Sequence, residues 1–467
     1  MYVSRVRIDG VLGFCGARAA DLELARPDGS YAGWTVLAGR NGSGKTSLLR
    51  ALALALDPWT DEGFDWAAPE GGEIEVSVVL DNLEARFLLE GEPDQACEAL
   101  LRAVEHGDRA PVLAHCLVQW PPKRLNLTER RVRPSRELRL SSGTGPAEVI
   151  AQLPDFEGPW SEILALVAAG AQRRLGPRSA GASRVESLFS EDATLAHGLE
   201  WLVEQHHRSL TGDEWAAAQV GAVLALLQDG LLPDGYEVAK VDADGLWVRH
   251  GGELFALRQL SAGYRVVVAL VVHVVWGLHR SLLNPFPDVA VTRDAAVTRD
   301  AAVTRDAAAV TVVGVRGMVL IDEIDAHLHV SWQQGVGRWL KAHFPRVQFL
   351  VTTHSPYICQ AADPGGLVRL AGPNEDAAPA VVDEDLYSRV VYGSGDDAIL
   401  SELFGLESPY SAVAEDARRR IGDLEGRVLS GDASEAELAE YEALSGKLNS
   451  SLSARVIEVS ARLARHE

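Results

Sequence analysis

Cysteine is scarce. The 467-residue chain has four, Cys15, Cys97, Cys116 and Cys359, scattered without metal-ligand spacing, so a zinc site or a disulfide framework is excluded and reduced structural thiols are expected. Long apolar runs are also missing. The longest, Val266 to Leu278, is interrupted by His273 and falls short of the ~18 residues of a membrane span. The stretch Met1–Ile8 alternates like a strand and carries no signal-peptide core, so a cytoplasmic location with no membrane partner is expected. Positive charge is in deficit: 44 Lys and Arg stand against 66 Asp and Glu, a formal charge of −22. That excludes a surface coated throughout by nucleic acid. It leaves a local stripe, Lys123, Arg124, Arg130, Arg131, Arg133, Arg136 and Arg139, and a smaller group, Arg173, Arg174, Arg178 and Arg184. Each is either a phosphate-contacting surface or an ion-pairing face, so nucleic acid stays open as a partner.

What is present begins with Gly39-Arg40-Asn41-Gly42-Ser43-Gly44-Lys45-Thr46, of the form G-x-x-x-x-G-K-[ST]. It follows the apolar β-type run Trp34–Ala38 and opens onto a helical pattern, Ser47–Leu56, the context a phosphate-binding loop requires. Its glycines let consecutive N–H groups turn around an anion, and the helix N-terminus adds its positive end. Lys45 is then placed for the β- and γ-phosphates of ATP, and the Thr46 hydroxyl for Mg²⁺.

Two further stretches supply what such a loop needs opposite it. Met318–Ile321 is an apolar β-run closing on Asp322-Glu323; Asp322 suits the Mg²⁺ shell and Glu323 the polarisation of an attacking water. A second β-run, Val347–Thr353, ends in His354-Ser355-Pro356, and a histidine there can meet a γ-phosphate. Gln119, closing a strand-like run, is either a metal or water contact or an ordinary polar residue. Phe14 is either a base-stacking ring or core.

The chain divides by pattern. Residues 1–90 read as short strands around the loop helix, and 91–232 as an inserted strand and helical lobe, with helices from 147 onward carrying Trp160, Trp201 and Trp215 as packing anchors. Residues 233–372 begin with a strand pair about the turn Asp242–Gly245, then a buried helix over Val266–Leu278, then β-runs at Thr311–Val313 and Met318–Ile321. Residues 291–308 are three copies of Val-Thr-Arg-Asp-Ala-Ala, read as an exposed loop with no chemistry. The stretch 380–467 carries two amphipathic helices, the second opened by a Ser434/Glu437 capping box.

Gly39–Thr46, Leu260-Ser261-Ala262-Gly263-Tyr264-Arg265, Met318–His329 and Val351–Pro356 resemble the phosphate loop, signature motif, Mg²⁺/base strand with its dimer loop, and switch histidine of ABC-type ATPases of the RecF/SMC-like branch. Ser187-Leu188-Phe189, Trp201-Leu202, the run Asp325–His329 and the tail after Ile399-Leu400 are similar to stand-alone ATPases of bacterial anti-phage defence, those of Septu and retron systems. The resemblance implies an α/β ABC-type head built from the N- and C-terminal segments, with a helical insertion and a C-terminal helical hairpin. It implies ATP and Mg²⁺ as cofactors, with Glu323 and His354 at the reaction and Gly39–Thr46 around the phosphates. Ser261 and Gly263 would close on the nucleotide of a second subunit, in a homodimer or higher oligomer, with a separate nuclease as effector. The alternative is a DNA-repair or chromosome-maintenance ATPase that binds DNA itself. Ala262 and Tyr264 depart from the transporter signature, where Gly and Gln are usual, and the gap from Gly263 to Met318 is long for the family.

Overall fold

Strands that are apolar at most positions end up buried on both faces, and these build the sheet that carries the site. The computed structural model describes residues 1–26, 28–57, 66–89, 101–102, 104, 112–121, 134–142, 151–153, 159–173, 184–190, 193–281, 311–406 and 408–447. In chain order the strands are β1 (Tyr2–Asp9), β2 (Ala20–Glu23), β3 (Trp34–Ala38), β4 (Gly72–Leu80) and β5 (Val112–Trp120). They continue with β6 (Ser135–Ser142), β7 (Ala151–Leu153), β8 (Leu166–Ala169), β9 (Glu237–Asp242) and β10 (Gly245–His250). The last are β11 (Glu253–Ala256), β12 (Gly317–Ile321), β13 (Val347–Thr353), β14 (Leu367–Arg369) and β15 (Ala380–Val381).

The first sheet has the order β15-β14-β3-β13-β12-β8, parallel except for β15. Every residue of β3, β8, β12 and β13 is buried. Register pairs Ala38 with Thr353 and Ile321 with Val351, so the carboxyl ends of β3, β12 and β13 reach one edge together, where open α/β sheets bind ligands. The second sheet, β2-β1-β4-β5-β6-β7, is antiparallel. Alternation along β1 and β4 gives one face to a core shared with the helix Lys45–Leu56. The smallest sheet, β11-β10-β9, is the expected strand pair plus a third strand.

Several expectations need correction. The stretch from 147 to 232 is not helical throughout, because Leu166–Ala169 forms β8 and lies beside β12. Its four apolar residues are short enough to fill a strand and too few for a helix. Thr311–Val313 is no strand; Val313 instead donates its N–H to the His343 carbonyl. The buried helix over Val266–Leu278 is present, extended by its flanks to Ala262–His279. At 18 residues it meets the length and composition of a membrane span, yet Val266–Leu278 is buried in the protein, against β8 and the helix Ala196–Leu210. Trp160 is fully buried and donates its indole N–H to the Leu56 carbonyl at 2.9 Å. Trp201 and Trp215 each contact the His279 ring, Trp215 remaining 42% exposed. The repeat 291–308 lies outside the described residues.

Two compact units divide the chain, Met1–Ala398 and Ile399–Glu467. The second holds the helices Ala412–Ser430 and Glu435–Lys447. Ser411 caps the first by accepting the Ala414 N–H, and Gly431, at φ 79°, ends it in the left-handed conformation. The capping box is formed: Ser434 Oγ accepts the Glu437 N–H at 3.3 Å, and Glu437 accepts the Ser434 N–H at 2.9 Å.

Candidate active site

β3 delivers the chain into the Gly39–Gly44 loop, and Lys45 begins the following helix. Gly42 and Gly44 take φ of 77° and 95°, conformations that a side chain would strain. Space is as tight as torsion: a Cβ on Gly39 would lie 2.6 Å from the Leu370 carbonyl oxygen. Lys45 is 6% exposed. Its Nζ donates to the carbonyls of Gly39 at 2.9 Å and Arg40 at 3.1 Å. Burial pushes its pKa down, while the nearby Asp322, Glu323 and Asp325 pull it back up. The loop, Glu323 and His354 line one cavity of about 520 Å³, walled on the other side by Leu12, Phe14, Arg18 and Pro373.

Opposite the lysine, Thr46 Oγ1 donates to the Asp322 carboxylate, 2.9 and 3.0 Å from its two oxygens. Thr352, near the end of β13, ties the acidic pair to that strand: its hydroxyl donates to Asp322 at 2.6 Å and accepts the Glu323 N–H at 2.7 Å. Glu323 adopts φ 46°, unusual for a residue with a side chain. One position on, Thr353 Oγ1 donates to Asp325 at 2.5 Å, and the His354 N–H reaches the same oxygen at 3.3 Å. The His354 ring has its pKa lowered, first by burial and then by the Lys45 charge, so near pH 7 it is neutral, with one nitrogen donating and the other accepting.

Thus Gly39–Thr46, Asp322, Glu323 and His354 converge. Within the loop, Asn41, Gly42, Ser43 and Gly44 line the cavity; Gly39 is buried beneath it, and Arg40 is exposed and contributes its carbonyl. Ser261 and Gly263 stand apart from that cavity. Ser261 is the exposed N-cap of the helix Ala262–His279. Gly263 lies against the segment after Glu323, where a Cβ would come 2.9 Å from the His327 carbonyl oxygen. Gln119 Nε2 donates to Glu73 at 2.7 Å, within the antiparallel sheet, and is not among the residues lining the cavity. Phe14 is core, 3% exposed, with its ring over Gly44.

Three residues of the site escaped the reading of the sequence. Thr352 has no motif of its own. Arg18 donates to the carbonyls of Gly372 at 2.7 Å and Glu375 at 3.1 Å, fixing the segment that carries Pro373. Arg173 was visible only as a member of a basic group; it is 5% exposed and donates to the carbonyls of Asp322, Glu323, Ile324 and Ala326.

These residues fit Mg²⁺ and ATP. Thr46 and Asp322 offer the hard oxygen donors that Mg²⁺ prefers. Ser43 Oγ is buried with no hydrogen-bond partner, and the glycine cradle leaves room that a Cβ would take. Among the described residues no grouping of His, Cys, Asp and Glu suits a further metal ion, and Cys15, Cys116 and Cys359 are free.

A family model described as "AAA domain, putative AbiEii toxin, Type IV TA system" matches residues 34–141 and 295–360. The chain is 35% identical over 121 residues to "Retron Ec83 probable ATPase" of Escherichia coli, 26% of this chain and 18% of that one. It is 22% identical over 356 residues to "Septu protein PtuA" of Bacillus mycoides (strain KBAB4), 74% of this chain and 37% of the relative. With the Bacillus thuringiensis protein of the same name it shares 36% over 111 residues, 22% of this chain and 26% of the relative. The chain therefore spans well under two thirds of the length of these curated relatives. Among solved structures, the SMC head bound to the C-winged helix domain of ScpA matches with TM-score 0.45 and 13% identity, over 82% of this chain and 97% of that one. The SMC head domain from Thermotoga maritima gives 0.39 and 14%, over 82% and 100%. The α/β fold is as expected, and the resemblance to Septu and retron ATPases is borne out in sequence: the chain is similar to a retron probable ATPase and to two Septu proteins.

Proposed function

We propose that this chain binds and hydrolyses ATP as an ABC-type ATPase, and that it acts as a nucleotide-gated sensor or scaffold controlling a separate nuclease in anti-phage defence. The observation that carries the first half is the convergence of Lys45, Thr46, Glu323 and His354 on one cavity, with Asp322 held behind it by the Thr46 hydroxyl. The second half rests on the similarity to a retron probable ATPase and to Septu proteins, and its nuclease effector on the family resemblance of the motifs.

Magnesium-bound ATP supplies the phosphoanhydride to be cleaved and a cation that draws charge from the γ-phosphate. Lys45 and the loop amides bind and orient the phosphates, Lys45 giving up its two carbonyl bonds to do so. Thr46 and Asp322 hold the cation. The Glu323 carboxylate orients the attacking water and takes its proton. His354 donates one ring N–H toward the γ-phosphate while its backbone is held by Asp325. The signature residues Ser261 and Gly263 complete the site of a second copy, a reading supported by the exposure of Ser261 and by the place of both residues away from the cavity of their own chain. Direct DNA binding by the basic stripe gains little support: Arg136 donates to the Asp57 carbonyl and Arg139 pairs with Glu137, and residues 123–133 lie outside the described ones.

Glu323→Gln tests the chemistry. ATP affinity should stay within about threefold while turnover falls about 10²–10³-fold, the range for losing a positioned base or its electrostatic equivalent; undiminished turnover would remove Glu323 from this role. The partner is tested by the mass of the complex purified after co-expression with the neighbouring genes, with and without ATP. A particle holding a second protein with nuclease motifs supports the scaffold; a dimer that gains mass only with DNA supports the repair reading.

A further inference from the structure

Arg173 leaves β8 through Gly170-Ala171-Gln172 and turns back beneath the end of β12. Asp322 donates its N–H to the Ala169 carbonyl at 2.8 Å, which sets the two strand ends side by side. Beyond Asp322 the chain makes a tight turn with Glu323 at φ 46° and His327 at φ 67°, and its carbonyls gather on the inner side. Such a group of buried acceptors needs donors, and a planar guanidinium is suited to supplying several at once in fixed directions.

Arg173 does this. One of its terminal nitrogens donates to the Asp322 and Glu323 carbonyls, both at 2.8 Å, and the other to those of Ile324 and Ala326, both at 3.2 Å. The side chain is buried, and its Nε has no partner. A surface or ion-pairing arginine would direct its fork at a carboxylate; this one spends four bonds on the backbone of the residue proposed as the base and the turn that follows.

We propose that Arg173 is a positioning residue for Glu323: it clamps residues 322–326 so that Glu323 keeps its left-handed backbone and presents its carboxylate to the cavity. Thr352 fixes the N–H of Glu323 from one side, Arg173 its carbonyl from the other. The base is thereby set from β8, outside all four motifs of the nucleotide site. Since Gly263 packs on the His327 carbonyl, the clamped turn also underlies the signature residues. The inference rests on the reading of Glu323 as the base.

The test compares Arg173→Lys and Arg173→Ala in the full chain by hydrogen exchange, ATP binding and turnover. Lysine keeps the charge and offers three donors without the fork. In nucleotide-free Arg173→Lys, exchange over residues 322–328 should rise about tenfold or more with the helix Lys45–Leu56 unaffected. ATP affinity should stay within about threefold, and turnover should fall about 10–100-fold, as when a supporting partner of a reactive group is lost. That loss should vanish in a Glu323→Gln background, where there is no base left to position. Unchanged exchange at 322–328, or an equal turnover loss in both backgrounds, overturns the proposal. Collapse of the fold in both arginine variants also overturns it, in favour of a purely structural role. A wild-type chain without turnover would instead defeat the reading of Glu323, and the exchange result alone would then judge whether Arg173 holds the turn.

Discussion

The proposed nucleotide site and the C-terminal hairpin are built on opposite plans. At the site, Thr46 meets Asp322 across 276 residues of sequence, Thr352 meets Asp322 across 30, and both threonine–aspartate contacts are partly or wholly buried. In the hairpin the bonds are local and wet: Ser434 with Glu437 three residues away, Arg427 with Glu437 ten away, Arg420 with Glu440 twenty away, all exposed. One helix of the hairpin buries only Leu424, and the other buries nothing. Long-range contacts make the site a property of the whole fold, so removing one group should be felt at a distance. Local contacts make the hairpin a sum of small independent terms.

The largest effect is expected at Lys45. Its ammonium is desolvated, with two carbonyl partners, and among the described residues Lys45 is the only lysine lining the cavity. Lys45→Ala should weaken ATP binding about 10²–10³-fold, the range for losing one member of a buried charged contact. The nucleotide-free melting temperature should hardly move, because cavity water can take over the two carbonyls. Isothermal titration with ATP and a thermal melt separate the two. Tight binding by this variant would break the comparison by showing that the site tolerates loss of its central charge.

That asymmetry also explains how much could be read from sequence. Lys45, Thr46, Asp322, Glu323 and His354 lie at the ends of apolar strands or at a helix start, where a spacing rule and an apolar run coincide, so each could be singled out as a candidate. The capping box was legible for a related reason, being a local pattern of two residues. Thr352 and Arg173 act through tertiary contacts with no local signature, and Arg173 counted only as part of a basic cluster. β8 was hidden because four apolar residues within an Ala- and Leu-rich stretch carry no period that separates strand from helix. Its assignment depends on pairing with β12, which lies about 150 residues further along the chain.

A second effect, smaller, comes from His273 in the middle of the helix Ala262–His279. Its Nε2 lies 3.2 Å from the Ala168 carbonyl on β8, its Nδ1 is buried without a partner, and burial pushes its pKa down to about 4. His197 and Trp276 are the ring groups near it; the His197 charge acts in the same direction, and the Ala168 carbonyl opposes it. The unfolded chain then binds the proton more tightly than the folded one. The stabilising contribution is complete above about pH 6.5 and is lost as pH falls from there toward 4, at most roughly 3 kcal/mol. His273→Gln should flatten the dependence of denaturant-unfolding stability on pH within that window. A variant with the wild-type slope would mean that the histidine is already relaxed toward solvent, and would place the base of β8 among the adjustable parts of the molecule.

The smallest effect belongs to the hairpin. Ser434→Ala removes the side-chain acceptor for the Glu437 N–H and half of the capping box, and leaves the flanking backbone bond from Leu438 to Ser434 intact. A lost N-cap of this kind costs about 1 kcal/mol, so amides of the first turn after Ser434 should exchange about fivefold faster, with exchange in the helix Ala412–Ser430 and the affinity for ATP both unchanged. Because the contact is local, the disturbance should stop within a turn or two of the helix. If ATP affinity fell as well, the local plan assigned to the hairpin would be wrong, and its two helices would have to be counted with the nucleotide site as one cooperative unit.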